Sequence, residues 1–160
     1  MLYNRDTSAW EYLPNLFKKR KSAALAAAGK KLFVFGGFID EDMATDAIEK
    51  FDFDNKKNGW ISVSAPNPGS WSLCFMAAAF GLPSSNRIIV YGGPKMYNTF
   101  LFATNPKFDL AQSQAKSPSL YRSPTQKLFN GELYMIDRDL NLQSVNEKLL
   151  WTLHVTSPAE

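Results

Sequence analysis

Two runs of bulky apolar residues in this chain each end in a pair of adjacent glycines. The first run is KKLFVFGG, residues 30–37, and the second is RIIVYGG, residues 87–93. Short apolar runs that are rich in β-branched and aromatic residues predict strands. Glycine reaches positive φ without steric cost and lets another backbone approach closely, so each doublet predicts a strand end at a crowded junction.

A triple alanine precedes each run, at residues 26–28 and 77–79. The first alanine stretch has a second interpretation as a helix, capped by Ser22 and ended by Gly29. The second stretch, LCFMAAAF at residues 73–80, is far less typical of a helix. Because both copies continue into an apolar run that ends in glycines, we favour strands for both.

An aspartate followed by a tryptophan recurs downstream of each glycine doublet. Asp52 precedes Trp60, and Asp137 precedes Trp151, each aspartate coming directly after an apolar residue. A fragment of the same pattern opens the chain at Trp10. The sequence therefore predicts a structural repeat with a period of about 50 residues.

The spacing of the tryptophans predicts one long insertion. Trp10 and Trp60 are 50 residues apart, whereas Trp60 and Trp151 are 91 residues apart. The excess falls in residues 94–131, where prolines, serines and glutamines are frequent and no hydrophobic period is sustained. This composition predicts a loop, in which only residues 97–102, YNTFLF, have the β-propensity of a short additional strand.

Composition supports one folded, β-rich domain. Of the 160 residues, 45% are hydrophobic, 21% are charged and 14% are aromatic, and aromatic side chains favour pleated strands. A single cysteine and no Asn-x-Ser/Thr acceptor predict a reducing compartment. The N-terminal residues lack the pattern of a signal peptide, and no apolar window is long enough for a bilayer. We expect a cytoplasmic protein without membrane contact.

Together, the alanine triplet, the apolar run that ends in Gly-Gly, and the aspartate before tryptophan resemble the kelch repeat, whose unit is one four-stranded blade of a β-propeller. The resemblance implies an all-β fold over residues 1–160, a partial propeller of four-stranded antiparallel sheets with one long loop insertion. It implies the outer strands of a first blade at 1–16, a second blade at 22–66, and a third blade at 72–155 with the insertion at 94–131.

The resemblance also assigns structural roles to individual residues. The small alanines suit the crowded innermost strands, and the tryptophans lie on the outermost strands and pack between adjacent blades. Two blades and part of a third cannot close a ring of four to eight. The chain would therefore be a fragment of a longer chain, or other copies or another protein would complete the ring, or it would be a structural piece of a larger assembly. The residues of the repeat signature are Trp10, Gly36, Gly37, Asp52, Trp60, Gly92, Gly93, Asp137 and Trp151.

No motif in the sequence indicates catalysis, metal binding or a cofactor. The only histidine is His154, and the only cysteine is Cys74 within an apolar stretch. The acidic stretch DFDNKKNGW, residues 52–60, places two aspartates as a calcium loop does, but the glycine and the glutamate that such a loop needs are missing. We therefore expect no catalytic residue, no metal, no cofactor and no enzymatic activity.

Positive charge is concentrated in two of the predicted connections. Residues 18–21 are KKRK, and residues 94–131 contain five basic residues against one acidic residue. The resemblance implies that both connections emerge on the propeller face that binds partners, which predicts an acidic protein partner. The acidic loop at residues 38–46 would lie on the same face and could neutralise the basic run instead. The candidate partner-binding residues are Lys18, Lys19, Arg20, Lys21, Lys95, Tyr97, Lys107, Lys116, Tyr121 and Arg122.

These patterns predict a non-enzymatic protein-interaction module that acts as a scaffold or adaptor, for example as a subunit of a complex. One alternative is an accessory or regulatory segment of a larger enzyme or assembly. A second alternative is nucleic-acid binding through the basic loops, with Phe17, Tyr97 and Tyr121 as stacking residues. The net charge of +3 argues against nucleic acid as the main partner, since phosphate binding needs a concentrated basic face.

Overall fold

The computed structural model of the chain describes residues 1–41, 43–64, 77–82, 86–92, 99–103, 111–112, 126–130, 132–136, 142–146 and 151–154. These ranges contain short strands and one 3-10 helix, Phe53–Asn58. The strands are β1 (Leu2–Asn4), β2 (Ala9–Glu11), β3 (Ala24–Ala28), β4 (Lys31–Phe35), β5 (Ile48–Asp52), β6 (Trp60–Val63), β7 (Ala77–Leu82), β8 (Arg87–Gly92), β9 (Thr99–Ala103), β10 (Ala111–Gln112), β11 (Gln126–Phe129), β12 (Glu132–Ile136), β13 (Leu142–Val145) and β14 (Trp151–His154). No helix within these ranges has the length and apolar character that a membrane span requires.

The strands form antiparallel sheets in which spatial order follows chain order. We call β1–β2 the N-terminal pair, β3–β6 sheet A, β7–β10 sheet B and β11–β14 sheet C. Sheets A, B and C each have four strands, and every strand in them pairs with its neighbour along the chain. The prediction of an all-β fold built from antiparallel sheets is confirmed.

The prediction of one long loop at residues 94–131 is wrong. The strands β9, β10 and β11 lie in that range, and the strand predicted at 97–102 corresponds to β9. The single sheet predicted over residues 72–155 is therefore two sheets, B and C. The last strand of sheet B, Ala111–Gln112, carries no tryptophan. The 91 residues from Trp60 to Trp151 therefore contain a whole additional sheet, which the spacing of the tryptophans alone does not distinguish from a loop.

The alanine triplets belong to strands, and the helical interpretation is excluded. Along β3, Ala24, Ala26 and Ala28 are buried, whereas Leu25 is 56% exposed. The three buried alanines pack in one cluster with Phe33 and Phe35 of sheet A and with Ala79, Ile88 and Val90 of sheet B. Small side chains on β3 and β7 therefore let sheets A and B pack closely through their first strands.

Strand β8 is buried on both faces, which explains its continuous apolar run. Ile88, Ile89, Val90 and Tyr91 each have an exposed fraction of 0%. Since side chains alternate along a strand, Ile88 and Val90 face sheet A, while Ile89 and Tyr91 pack with residues of sheet C. The residues of that second cluster from sheet C are Leu133, Met135 and Val145. Sheet B is thus the middle layer of a stack of three sheets.

Part of the other face of sheet A, around Trp60, is covered by the segment between β2 and β3. Trp60, at the start of β6, packs in a cluster with Phe51 and with Leu13 and Leu16 of this segment. Its indole Nε1 donates a hydrogen bond to the carbonyl oxygen of Pro14 at 2.8 Å. Trp60 therefore packs against the segment that precedes sheet A.

The other tryptophans of the repeat signature differ from Trp60. Trp10 is 65% exposed, and its ring lies 5.3 Å from that of Tyr3, its partner across the N-terminal pair. Trp10 therefore packs against Tyr3 at the surface and is not buried between two sheets. Trp151 is the first residue of β14, the last strand of sheet C, and its backbone is opposite Val145. Trp60 and Trp151 thus both begin the last strand of their sheets.

The two glycine doublets occupy different positions. Gly36 and Gly37 follow the end of β4, and Gly37 has a φ of 94°. A Cβ atom at Gly37 would lie 2.7 Å from the carbonyl oxygen of Lys21, so a larger residue would push the two segments apart. Gly92 is still inside β8, where it pairs with Ala77, and Gly93 lies outside the described residues. The first doublet thus follows a strand end, and another backbone segment approaches it closely.

A third glycine, Gly81, brings sheets A and B into contact, and the sequence motifs did not identify it. It lies in β7, and a Cβ atom there would overlap the carbonyl oxygen of Ala27 in β3 and lie 2.9 Å from the carbonyl carbon. The backbones of the first strands of sheets A and B therefore touch at this point. An isolated glycine within a strand pattern is the signal that indicates such an approach.

Gly81→Ala is expected to destabilise the chain by about 3 kcal/mol or more, because the added methyl group must displace backbone rather than a movable side chain. Chemical denaturation followed by tryptophan fluorescence measures the change. Ser62→Ala, an alanine substitution at an exposed position of β6, is the control and should change stability by less than about 0.5 kcal/mol. Equal stability of the Gly81→Ala variant and the unsubstituted chain would contradict the close packing of β3 and β7.

Burial raises the pKa of the Tyr91 phenol in sheet B. Since the folded-state pKa exceeds the unfolded value of about 10, the free energy of unfolding should be unaffected below that pH and fall as pH rises above it. Tyr91→Phe should reduce this alkaline loss, whereas Tyr12→Phe, at a side chain that is 86% exposed, should leave it unchanged. Urea denaturation at neutral and at alkaline pH checks this, and an identical alkaline loss in both variants would contradict it.

Candidate functional site

Two connections lie side by side at one end of sheet A, which we call the loop end. One is the basic segment, residues 17–21, which leads into β3. The other is the acidic loop, which contains residues 38–46 and joins β4 to β5. Lys21 and Phe38 join them, each backbone N–H donating to the other's carbonyl oxygen, at 2.9 and 2.8 Å. Within the acidic loop, the Thr45 N–H donates to the Gly37 carbonyl at 2.9 Å and the Ile39 N–H to the Met43 carbonyl at 2.9 Å. Backbone hydrogen bonds therefore fix both connections.

A cleft of about 280 Å³ opens between these two connections. Lys19, Arg20 and Lys21 line it from the basic segment, and Asp40 and Glu41 line it from the acidic loop. Phe38 and Ile39 add apolar surface. The lysines and the two acidic residues are exposed, whereas the Arg20 side chain is buried. The cleft is close to the lower size limit of small-molecule sites, so it suits a small ligand or one part of a larger ligand.

The charges across the cleft do not neutralise each other directly. Among the described residues, no ion pair within 4 Å joins Lys19 or Lys21 to Asp40 or Glu41. One oxygen of Asp40 instead accepts a hydrogen bond from the Glu41 backbone N–H at 2.8 Å. The ammonium groups and most of the carboxylate oxygens therefore remain available to a ligand.

Arg20, which the sequence analysis names as a partner-binding residue, has a different structural role from its neighbours. Its side chain is only 1% exposed, although its backbone lies near the surface, and the guanidinium forms an ion pair with Glu49, whose side chain is 2% exposed. The same guanidinium donates to the carbonyl oxygens of Gly36, at 3.1 Å, and Ala47, at 2.7 Å. A partner therefore cannot reach the charge of Arg20.

Glu49 completes this buried pair, and the sequence motifs did not identify it. One carboxylate oxygen accepts from Arg20, and the other accepts from the Phe17 backbone N–H at 2.9 Å. The signal available in the sequence was periodicity, since Glu49 lies two residues before Phe51 in β5 and therefore on the same buried face. A buried carboxylate needs a cation, and the longest basic run in the sequence is at residues 18–21.

A second ion pair, at the opposite end of sheet A, is exposed, in contrast to the buried pair of Arg20 and Glu49. The Nζ of Lys30 lies 2.9 Å from an Asp54 carboxylate oxygen, and the two side chains are 74% and 58% exposed. The hydrogen bond and the charge of Asp54 raise the pKa of Lys30. Asp52 accepts a hydrogen bond from the Asp54 backbone N–H at 3.0 Å and so caps the 3-10 helix. These aspartates form a capped turn, and the described residues contain no cluster of three potential metal ligands.

The remaining predicted residues are only partly described. Lys18 is exposed, and Phe17, named as a stacking residue, is 68% exposed. The backbone of His154 lies in β14. The basic segment is predicted to share a propeller face with residues 94–131. The residues of that range named as partner-binding lie outside the described residues. Outside the described residues lie Asp42, Cys74, Gly93, Lys95, Tyr97, Lys107, Lys116, Tyr121, Arg122 and Asp137.

Comparison with known proteins finds partial similarity. No protein-family model matches the chain. Over 80 residues the chain is 31% identical to the N-acetylneuraminate epimerase of Pasteurella multocida (strain Pm70). The match includes 48% of this chain and 21% of the epimerase, so the chain spans about a fifth of the length of that relative.

This similarity contradicts the prediction that the chain is not an enzyme, because the matched protein is named as an enzyme. The prediction rested on the lack of a local catalytic motif. Such a motif is found only where the functional residues are close together in the sequence, and sites built from several loops of a rigid scaffold need not have one.

Proposed function

We propose that the chain is a segment of a kelch-type β-propeller, within a larger enzyme or assembly, and that its loop-end cleft binds a small ligand with a carboxylate, as acidic sugars have. The observation that carries the proposal is that two available lysine side chains and two available carboxylates line the same cleft. The proposal concerns binding by this chain. The chemistry of the larger protein would involve additional residues.

The stacking of the sheets supports the propeller part of the proposal. Three four-stranded meanders follow one another along the chain, and sheet B packs against sheet A with one face and against sheet C with the other. Blades of a propeller pack in this way around an axis, with their first strands innermost. The exposure of Leu25, on the face of β3 that points away from sheet B, is consistent with a further sheet there in the complete ring. In this proposal, other sheets or chains supply the remaining blades.

The chemistry of the cleft supports the ligand class. Lysine ammonium groups donate charge-assisted hydrogen bonds to a carboxylate, and carboxylate oxygens of the protein accept from sugar hydroxyls. A cleft that contains Lys19 and Lys21 opposite Asp40 and Glu41 offers both kinds of contact. The matched relative is named for N-acetylneuraminate, a sugar acid, and this agrees with the same ligand class.

The test is titration calorimetry of the chain with N-acetylneuraminate and with its methyl ester, which lacks the negative charge. We expect the acid to bind at least about tenfold more tightly than the ester, since a hydrogen bond to a charged group is worth about 1.5–3 kcal/mol. Lys19→Ala and Lys21→Ala should each weaken binding of the acid by a similar factor. Lys57→Ala, at an exposed lysine in the 3-10 helix, is the matched control and should leave binding unchanged.

Two results would contradict the ligand proposal. One is the absence of any heat of binding with the acid at millimolar concentration, and the other is equal affinity for the acid and the ester. Binding of the acid that survives both Lys19→Ala and Lys21→Ala would place the site elsewhere on the chain.

A protein partner at the loop end is a second candidate, supported by an exposed aromatic side chain in the basic segment. Phe17 is 68% exposed, and the exposed Lys18 follows it in the chain without lining the cleft. Exposed aromatic and basic residues together are typical of protein-binding surfaces. Lys18→Glu separates the candidates. It should reduce capture of an acidic protein partner while leaving the affinity for N-acetylneuraminate unchanged.

A further inference from the structure

The buried pair of Arg20 and Glu49 connects three parts of the loop end through hydrogen bonds. The guanidinium donates to the carbonyls of Gly36 and Ala47, the two residues between which the acidic loop leaves and re-enters sheet A. Gly36 and Ala47 are also joined directly, by a backbone hydrogen bond of 3.1 Å. Glu49 holds the Phe17 N–H at the start of the basic segment. The pair therefore joins the base of the acidic loop to the basic segment.

The position of Arg20 within the basic segment determines which residues face the cleft. Arg20 lies between Lys19 and Lys21, and its side chain points into the protein while those of its two neighbours are exposed. Lys21 is in turn tied to Phe38, two residues before Asp40. Anchoring the central residue of this run thus places the two flanking lysines on one wall of the cleft and the acidic loop on the other.

We propose that the Arg20–Glu49 pair is the positioning element of the loop-end cleft, and that ligand affinity depends on it although neither side chain is available to a ligand. This inference rests on the proposed binding role of the cleft. Both residues are positioning residues, because they act through Lys19, Lys21 and the acidic loop.

The hydrogen bonds of the pair lie within the loop end, whereas apolar side chains join sheet A to sheet B and sheet B to sheet C. In the part of the chain that the structure describes, the polar contacts of the pair go from one partner to the other or to backbone of the loop end. An apolar pair of similar volume can replace a buried ion pair without loss of stability, whereas removal of one partner leaves an uncompensated buried charge. Positioning and stability can therefore be separated by experiment.

The double variant Arg20→Met/Glu49→Leu provides this separation in the full chain. Hydrogen exchange followed by NMR measures the Lys21, Phe38 and Thr45 amides, which join the two walls or close the acidic loop, and the Val90 amide in the core. Titration with N-acetylneuraminate measures affinity. We expect a thermal midpoint within a few degrees of the unsubstituted chain, at least about tenfold faster exchange at the three loop-end amides, unchanged exchange at Val90, and at least about tenfold weaker binding.

A matched control acts at the opposite end of sheet A. Lys30→Met/Asp54→Leu removes the exposed ion pair and should change neither loop-end exchange nor affinity. Arg20→Lys is a second test variant, because lysine keeps the charge but cannot form the fork of hydrogen bonds to Gly36, Ala47 and Glu49. It should also speed exchange at Phe38 and Thr45, and it keeps the inference testable if the double variant does not fold.

Loop-end amides that stay protected in both Arg20 variants, together with unchanged affinity, would overturn the inference. A general rise in exchange that includes Val90, with a lower thermal midpoint in both variants, would also overturn it, because the pair would then be a stability element. Faster loop-end exchange in a chain that never binds N-acetylneuraminate would contradict the proposed ligand while supporting the structural part of the inference. The two proposals can therefore fail separately.

Discussion

The packing of sheet B between sheets A and C is the interaction on which the rest of this structure depends. Strand β8 contributes Ile88 and Val90 to one interface and Ile89 and Tyr91 to the other, and all four side chains are fully buried. Each buried aliphatic side chain contributes about 1.5–3 kcal/mol, so one strand supplies a large share of the stability of both interfaces. A four-stranded sheet of this size has too little core of its own, and it becomes stable by covering its faces with its neighbours.

This packing determines where connections emerge and therefore where a site can form. The close approach of β3 and β7 at Ala27 and Gly81 fixes the first strands of sheets A and B side by side. The connection into β3 and the loop between β4 and β5 then leave sheet A at one end, where Lys21 and Phe38 pair. Arg20 is buried at this junction, and the charges beside it stay in solvent. The charged residues that line the cleft are thus exposed, and the buried ion pair of Arg20 and Glu49 lies beneath them.

The strands with strong patterns could be predicted from the sequence, and those without could not. The apolar runs that became β4 and β8 and the alanine run of β3 were recognised because their residue types favour strands and because they recur. Strands β10 and β11 were missed, since a two-residue strand and a strand flanked by turn residues leave no periodic signal. The same limit applied to the site. The run KKRK alone predicts surface charge at all four positions, and only the fold shows that Arg20 is buried against Glu49.

Methyl–methyl NOE spectroscopy of the chain, with labelled alanine, isoleucine, leucine and valine methyl groups, tests the three-sheet stack most directly. The account predicts NOEs from Ile88 to alanine methyl groups of β3, and NOEs from the adjacent Ile89 to Leu133 or Val145 of sheet C. NOEs from both isoleucines to the same set of neighbours, or the absence of any NOE between sheet B and sheet C, would contradict it.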